Sequence, residues 1–129
     1  MKIEHLAIWV DDLEEMKEFY IKYFGMTAGG KYINPAKKYS SYFLSFGNIG
    51  TRIELMHRPD IAPYFDQRGN QKGIAHFALS AGGKEKVNDL TEKLRNDGYT
   101  IYSEARTTGD GYYESVILDP EGNYVEITA

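Results

Sequence analysis

Two polar positions, Glu4 and His5, precede an unbroken hydrophobic stretch in residues 3 to 10 (Ile-Glu-His-Leu-Ala-Ile-Trp-Val), a short run rich in branched and aromatic side chains that predicts a β-strand. A helix is predicted next. Asp12 with Glu15 three residues on has the pattern of a capping box, and Leu13, Met16, Phe19, Tyr20, Tyr23 and Phe24 recur at helical spacing. Gly25 supplies the left-handed stop. After the Gly29-Gly30 break, Tyr39 to Phe46 and Thr51 to Met56 predict a hairpin around Gly47-Asn48-Ile49-Gly50.

Residues 57 to 73 hold Pro59, Pro63, Gly69 and Gly73 without periodicity and predict a linker. The first pattern then returns. Ile74 to Ser80 predicts a strand, and Lys84 to Asp97 a helix with Val87, Leu90 and Leu94 inward and Gly98 as its stop. Strands follow at Tyr99 to Glu104, Tyr112 to Leu118 and Tyr124 to Thr128, the last two joined by an Asp119-Pro120-Glu121-Gly122 turn. The chain therefore repeats one strand–helix–strands unit at an offset of about 71 residues, which predicts an α+β fold of two modules, 1–56 and 74–129.

A length of 129 residues suits a single domain, 1–129, whose modules must cover one another or a partner chain. Fifteen Lys and Arg against nineteen Asp and Glu give a net charge of -4 without a basic block, which argues against nucleic acid and anionic membranes as partners. The chain has no cysteine, which excludes disulfides, thiolate zinc sites and cysteine nucleophiles. The longest apolar run, Leu6 to Val10, is too short for a membrane span or a signal core, so a cytoplasmic protein is expected. Eleven tyrosines are an excess whose polar tips suit either the lining of a wet cavity or half burial along sheet faces.

The repeat sets four residues at matched places. His5 and His76 fall in the first strand of each module, Glu54 and Glu126 in the last, with separations of 49 (54 minus 5) and 50 (126 minus 76). Alternation places His5 with Ala7 and Trp9, Glu54 with Arg52 and Met56, His76 with Ala78, and Glu126 with Tyr124 and Thr128. The aliphatic neighbours take the opposite face. A single His or Glu in a strand is usually a surface or hydrogen-bonded residue; four at matched positions on one kind of face point to a shared divalent metal. Imidazole and carboxylate donors suit zinc, nickel, cobalt, manganese or ferrous iron, and two carboxylates balance the charge of a 2+ ion. Octahedral coordination leaves two positions for water or substrate.

The ordered set Glu-His5-Leu-Ala-Ile, Phe19-Tyr20, Phe24-Gly25-Met26, Arg52-Ile-Glu54-Leu, Gly73-Ile-Ala-His76-Phe-Ala-Leu and Asp119-Pro-Glu-Gly122-Asn-Tyr-Val-Glu126-Ile resembles the vicinal-oxygen-chelate superfamily over essentially the whole chain. The resemblance is greatest to lactoylglutathione lyases (glyoxalase I). It implies two tandem βαβββ modules forming a half-barrel cavity, a His5, Glu54, His76, Glu126 metal set, and one divalent ion per site, with zinc, nickel or cobalt preferred. It also implies Glu54 or Glu126 as the proton-transferring group, a small vicinal-oxygen substrate such as a 2-oxoaldehyde hemithioacetal, and a homodimer. Fosfomycin-resistance enzymes and extradiol dioxygenases resemble three-ligand sites, and methylmalonyl-coenzyme A epimerases have an amide where this chain has Glu54. An iron-dependent dioxygenase and a non-catalytic binding or resistance module stand as alternatives. Glyoxalases place an Arg and an Asn against glutathione where this chain has Trp9 and Arg58, so these positions do not imply glutathione. Trp9, Arg52 and Arg58 are the candidate substrate-binding residues, with Arg52 able instead to form a strand-edge salt bridge. His57 is expected at the surface, and Thr107 to Gly111 is expected to be a mobile lid or a plain connector.

Overall fold

A computed structural model describes residues 1–63 and 68–129, and the chain divides into two compact units, Met1–Pro63 and Tyr64–Ala129. The expected modules 1–56 and 74–129 fall inside them. Of the expected linker, residues 64–67 lie outside the described residues.

The first unit runs β1 (His5–Trp9), α1 (Leu13–Phe24), β2 (Thr27–Ala28), β3 (Tyr32–Asn34), β4 (Tyr39–Phe46) and β5 (Ile49–His57). The sheet order is β1-β5-β4-β2, with β3 also on β4; β1 and β5 are parallel, the other pairs antiparallel. The cap expected at Asp12 is present: its Oδ1 accepts from the Glu14 and Glu15 N–H groups at 3.0 and 2.9 Å, satisfying donors that a helix start leaves unpaired. Gly25 ends the helix at φ 66°, a conformation that favours glycine. The expected stripe of Leu13, Met16, Phe19, Tyr20 and Tyr23 is buried, while Phe24 is half-buried. Glu14 fastens the helix outward, accepting from Lys17 at 2.7 Å, Lys31 at 2.9 Å and the Tyr42 hydroxyl at 3.0 Å. These bonds hold its carboxyl at about 2, below the ordinary 4.5, with Lys17 and then Lys31 as the chief causes.

The second unit repeats the order: β6 (Phe77–Ser80), α2 (Lys84–Asn96), β7 (Ile101–Thr107), β8 (Tyr113–Leu118) and β9 (Tyr124–Thr128). Its sheet order is β6-β9-β8-β7, with β6 and β9 parallel. The architecture is thus α+β, one helix with each sheet. The predicted parity of the closing strands holds: Ile53 and Leu55, and likewise Val125 and Ile127, are buried, while Glu54 and Glu126 face away from them. Burying each such aliphatic side chain is worth roughly 1.5–3 kcal/mol.

Several expectations are corrected. A strand position was not foreseen in the first unit, where β2 and β3 together occupy the β4 edge that β7 takes on β8. Gly29 and Gly30 split it into pieces too short and exposed to show a period. The hairpin turn is two residues, Gly47 and Asn48, because Phe46 pairs with Ile49. In α2, Leu90 is only half-buried, and Thr91 is fully buried instead. Its hydroxyl meets Val87 O at 2.6 Å and the buried Ser115 hydroxyl at 2.7 Å. Strand β7 begins and ends later than expected, with an irregular register against β8. His57 is not a plain surface residue: it is half-buried, and its Nδ1 donates to the Val10 carbonyl at 2.9 Å, tying the end of β5 to the end of β1.

The described end of the expected linker is fastened down. Arg68 donates to Asn123 at 2.8 Å and Asn70 to the Tyr124 hydroxyl at 3.3 Å. Gly69 lies between them at φ 84°, where a Cβ would stand 2.6 Å from the Ala75 carbonyl oxygen, so only glycine fits. Tyr124, expected on the open face beside Glu126, is buried with its ring 4.4 Å from that of Tyr102.

Candidate metal centre

In the first unit, β1 and β5 pair with Ala7 opposite Glu54. Side chains two apart share a face and paired residues share it too, so His5 lies diagonal to Glu54. The small Ala7 between them leaves room for the long side chains to meet, and His5 Nε2 stands 3.7 Å from Glu54 Oε2. The second unit reproduces this: Ala78 pairs with Glu126, and His76 Nε2 stands 3.4 Å from Glu126 Oε2. One boundary is corrected, since β6 starts at Phe77 and His76 precedes it rather than lying within it. The face assignment is unaffected.

Both carboxylates are mostly covered, with side chains 14% and 15% exposed, whereas the imidazoles are 38% and 48% exposed. Each pair thus presents two donors on the open face of its own sheet. Two donors about 2.1 Å from one ion sit roughly 3.0–3.4 Å apart when adjacent in its shell, so both spacings suit neighbouring ligand positions with little adjustment. Among the described residues no group of three or more His, Cys, Asp or Glu side chains gathers closely enough to hold an ion alone.

The surroundings of the two pairs differ. Tyr39 donates its hydroxyl to Glu54 Oε1 at 2.9 Å, leaving Oε2 for His5. Burial, with an added contribution from Glu54, pushes the Tyr39 phenol up. His5 Nδ1 meets the Glu4 carboxylate, and Glu4 is paired in turn with Arg52. Phe43, opposite Glu54 on β4, lies edge-on to His5 at 5.4 Å and beneath the Arg52 guanidinium at 4.1 Å. In the second unit, burial pushes the Glu126 carboxyl above its ordinary value, and the charge of Glu114 adds to the effect while His76 opposes it.

The candidate substrate residues separate. Trp9 stays on the His5 face at the exposed end of β1, with Tyr39 edge-on at 6.2 Å and the Arg58 guanidinium 5.6 Å from its ring. Arg58 also donates to Asp60 at 2.6 Å. Arg52 shares that face but is engaged by Glu4. The Thr107–Gly111 segment is a hydrogen-bonded turn: Thr108 N–H donates to Tyr112 O at 2.8 Å and Gly111 N–H to Thr108 O at 3.0 Å. Three supporting residues, Glu4, Tyr39 and Glu114, were missed in the sequence. Carrying the alternation count onto β4 and β8 finds Tyr39 and Glu114, which share the face of Phe43 and Val116, the partners of Glu54 and Glu126. Glu4 precedes β1, so no count finds it.

The sequence pattern of the Glyoxalase/Bleomycin resistance protein/Dioxygenase superfamily matches residues 2–127. Among curated relatives, the lactoylglutathione lyase of Escherichia coli O157:H7 is 29% identical, covering 98% of this chain and 91% of the relative. Among solved structures, the trypanothione-dependent glyoxalase I of Leishmania major is 26% identical at a TM-score of 0.79, covering 99% of this chain and 86% of that one. Glyoxalase I from Zea mays is 28% identical at a TM-score of 0.81, covering 98% of this chain and 44% of that longer one.

Proposed function

The chain belongs to the Glyoxalase/Bleomycin resistance protein/Dioxygenase superfamily, and on that footing we propose that it is a divalent-metal-dependent lyase or isomerase of the glyoxalase I type. The observation that carries this reading is the repeated His–Glu diagonal, His5 with Glu54 and His76 with Glu126, at separations suited to one coordination shell. In this reading the two units act as one domain, and the four side chains complete a site within one chain or across two copies in a homodimer. The ion, zinc, nickel or cobalt by preference, with manganese or iron also suited, supplies Lewis acidity toward two adjacent substrate oxygens.

The protein groups do the rest. The proton-transferring role goes to Glu126, since the Tyr39 hydroxyl ties Glu54 in place: Glu126 takes the proton from one substrate carbon and returns it to the neighbouring carbon. Trp9 and Arg58 grip the part of the substrate away from the reacting carbons. Since they stand where glyoxalases contact glutathione with other residues, the thiol in the hemithioacetal is left open. The substrate is a small molecule, and the net charge of -4 without a basic block speaks against nucleic acid and anionic membranes as partners.

The test is turnover of a 2-oxoaldehyde mixed with glutathione or other low-molecular-weight thiols by metal-loaded protein. Thioester formation that stops on chelation is expected, with Glu126→Gln lowering kcat by roughly 10²–10⁴. Metal-loaded protein that turns over with none of the thiols, or only when dioxygen is present, contradicts the reading.

A further inference from the structure

The two half-sites are supported differently, and the difference lies in the residue before each histidine. Before His5 stands Glu4; before His76 stands Ala75. Glu4 is placed from two directions by one neighbour. Its carbonyl accepts from the Arg52 N–H at 3.0 Å, and its carboxylate Oε1 accepts from the Arg52 guanidinium. Its Oε2 meets His5 Nδ1. An ionised carboxylate can only accept, so the proton in that contact belongs to Nδ1, and in the neutral ring Nε2 carries the lone pair. That nitrogen is the one that faces Glu54.

We propose that Glu4, held by Arg52, is a positioning residue that selects the Nδ1–H form of His5 and aims its Nε2 lone pair into the open half-site. The inference rests on the reading of His5 and Glu54 as metal ligands and deepens it: the first half-site is set before an ion arrives, whereas Ala75, which precedes His76, has no carboxylate to set that ring. Arg52 thereby acts on the ion through Glu4 and His5 rather than on a substrate carboxylate.

The experiment uses full-length, metal-free protein with ¹⁵N-labelled histidine at a pH where the rings are neutral, alongside Zn²⁺ titration against a chromophoric chelator. In the wild type, His5 is expected in the Nδ1–H form. Glu4→Ala should mix the two ring forms at His5, leave His76 unchanged, and weaken Zn²⁺ binding by roughly 10–100-fold. Glu4→Gln keeps an acceptor oxygen and should restore both the ring form and most of the affinity. A wild-type His5 in the Nε2–H form, or a ring form or affinity unmoved in Glu4→Ala, overturns the inference. If the wild type binds no Zn²⁺, the metal reading fails on its own, and the ring form of His5 still decides the role of Glu4.

Discussion

The Arg58 guanidinium lies against the exposed Trp9 ring and donates to Asp60, whereas Arg52 gives its donors to Glu4 beneath the imidazole of His5. Equal charges at these two places should therefore act on different quantities. If Arg58 grips the substrate as proposed, Arg58→Ala removes a cation and a stacking face from it, a loss shared by ground and transition states. It should raise KM about tenfold with kcat within about twofold, measured with the substrate that the thiol assay identifies. The same change at Arg52 should leave KM in place and loosen the metal, read by chelator competition. If Arg52→Ala raised KM and spared metal binding, the guanidinium would be a substrate contact instead. The sequence offered a strand-edge salt bridge for Arg52, and the structure shows it with Glu4; what the sequence did not show is that the same Glu4 also meets His5.

Polar contacts join each helix to its sheet, and one contact from each helix shows how differently they respond to mutation. In α1, Glu14 is more than half exposed, so solvent screening keeps its ties to Lys17, Lys31 and Tyr42 below about 1 kcal/mol. Its carboxyl titrates at about 2 in the fold against an ordinary 4.5, so the contribution is full above pH 4.5 and fades as pH falls toward 2. Denaturant unfolding of Glu14→Gln should therefore show a small deficit at neutral pH that shrinks with acid. A deficit constant from pH 7 to 2 would mean that charge plays no part. In α2, Thr91 and Ser115 bond each other out of solvent. Thr91→Val should cost about 1–3 kcal/mol by leaving the Ser115 hydroxyl unpaired, while adding Ser115→Ala should recover much of it. Additive losses in the double mutant would contradict that coupling. The helices themselves were legible because Asp12 and Gly25, and the spacing of Val87 and Leu94, act locally. Strand pieces β2 and β3 were not, since their pairing with β4 is a long-range event that Gly29 and Gly30 interrupt. Thr91 reads as polar in sequence, and its buried hydroxyl is met by the Val87 carbonyl and the Ser115 hydroxyl.

On the scale of the whole chain, one topology is used twice, and the parallel pair in each copy places a histidine diagonal to a glutamate across an alanine. That much was present in the sequence as matched spacing and parity. The supporting residues differ between copies and could not be inferred from the repeat: Tyr39 on Glu54, Glu114 beside Glu126, and Glu4 behind His5. The central claim is that a His–Glu pair of the first kind and one of the second kind together hold one metal ion, and metal content tests it most directly. Untagged protein, analysed by mass spectrometry beside a Glu54→Gln, His76→Ala double mutant, should carry about one transition metal ion per chain, lost in the mutant. That ratio is expected whether the four ligands come from one chain or from two copies of a dimer. Wild-type protein that stays metal-free after reloading with zinc, nickel, cobalt, manganese and iron would contradict the account.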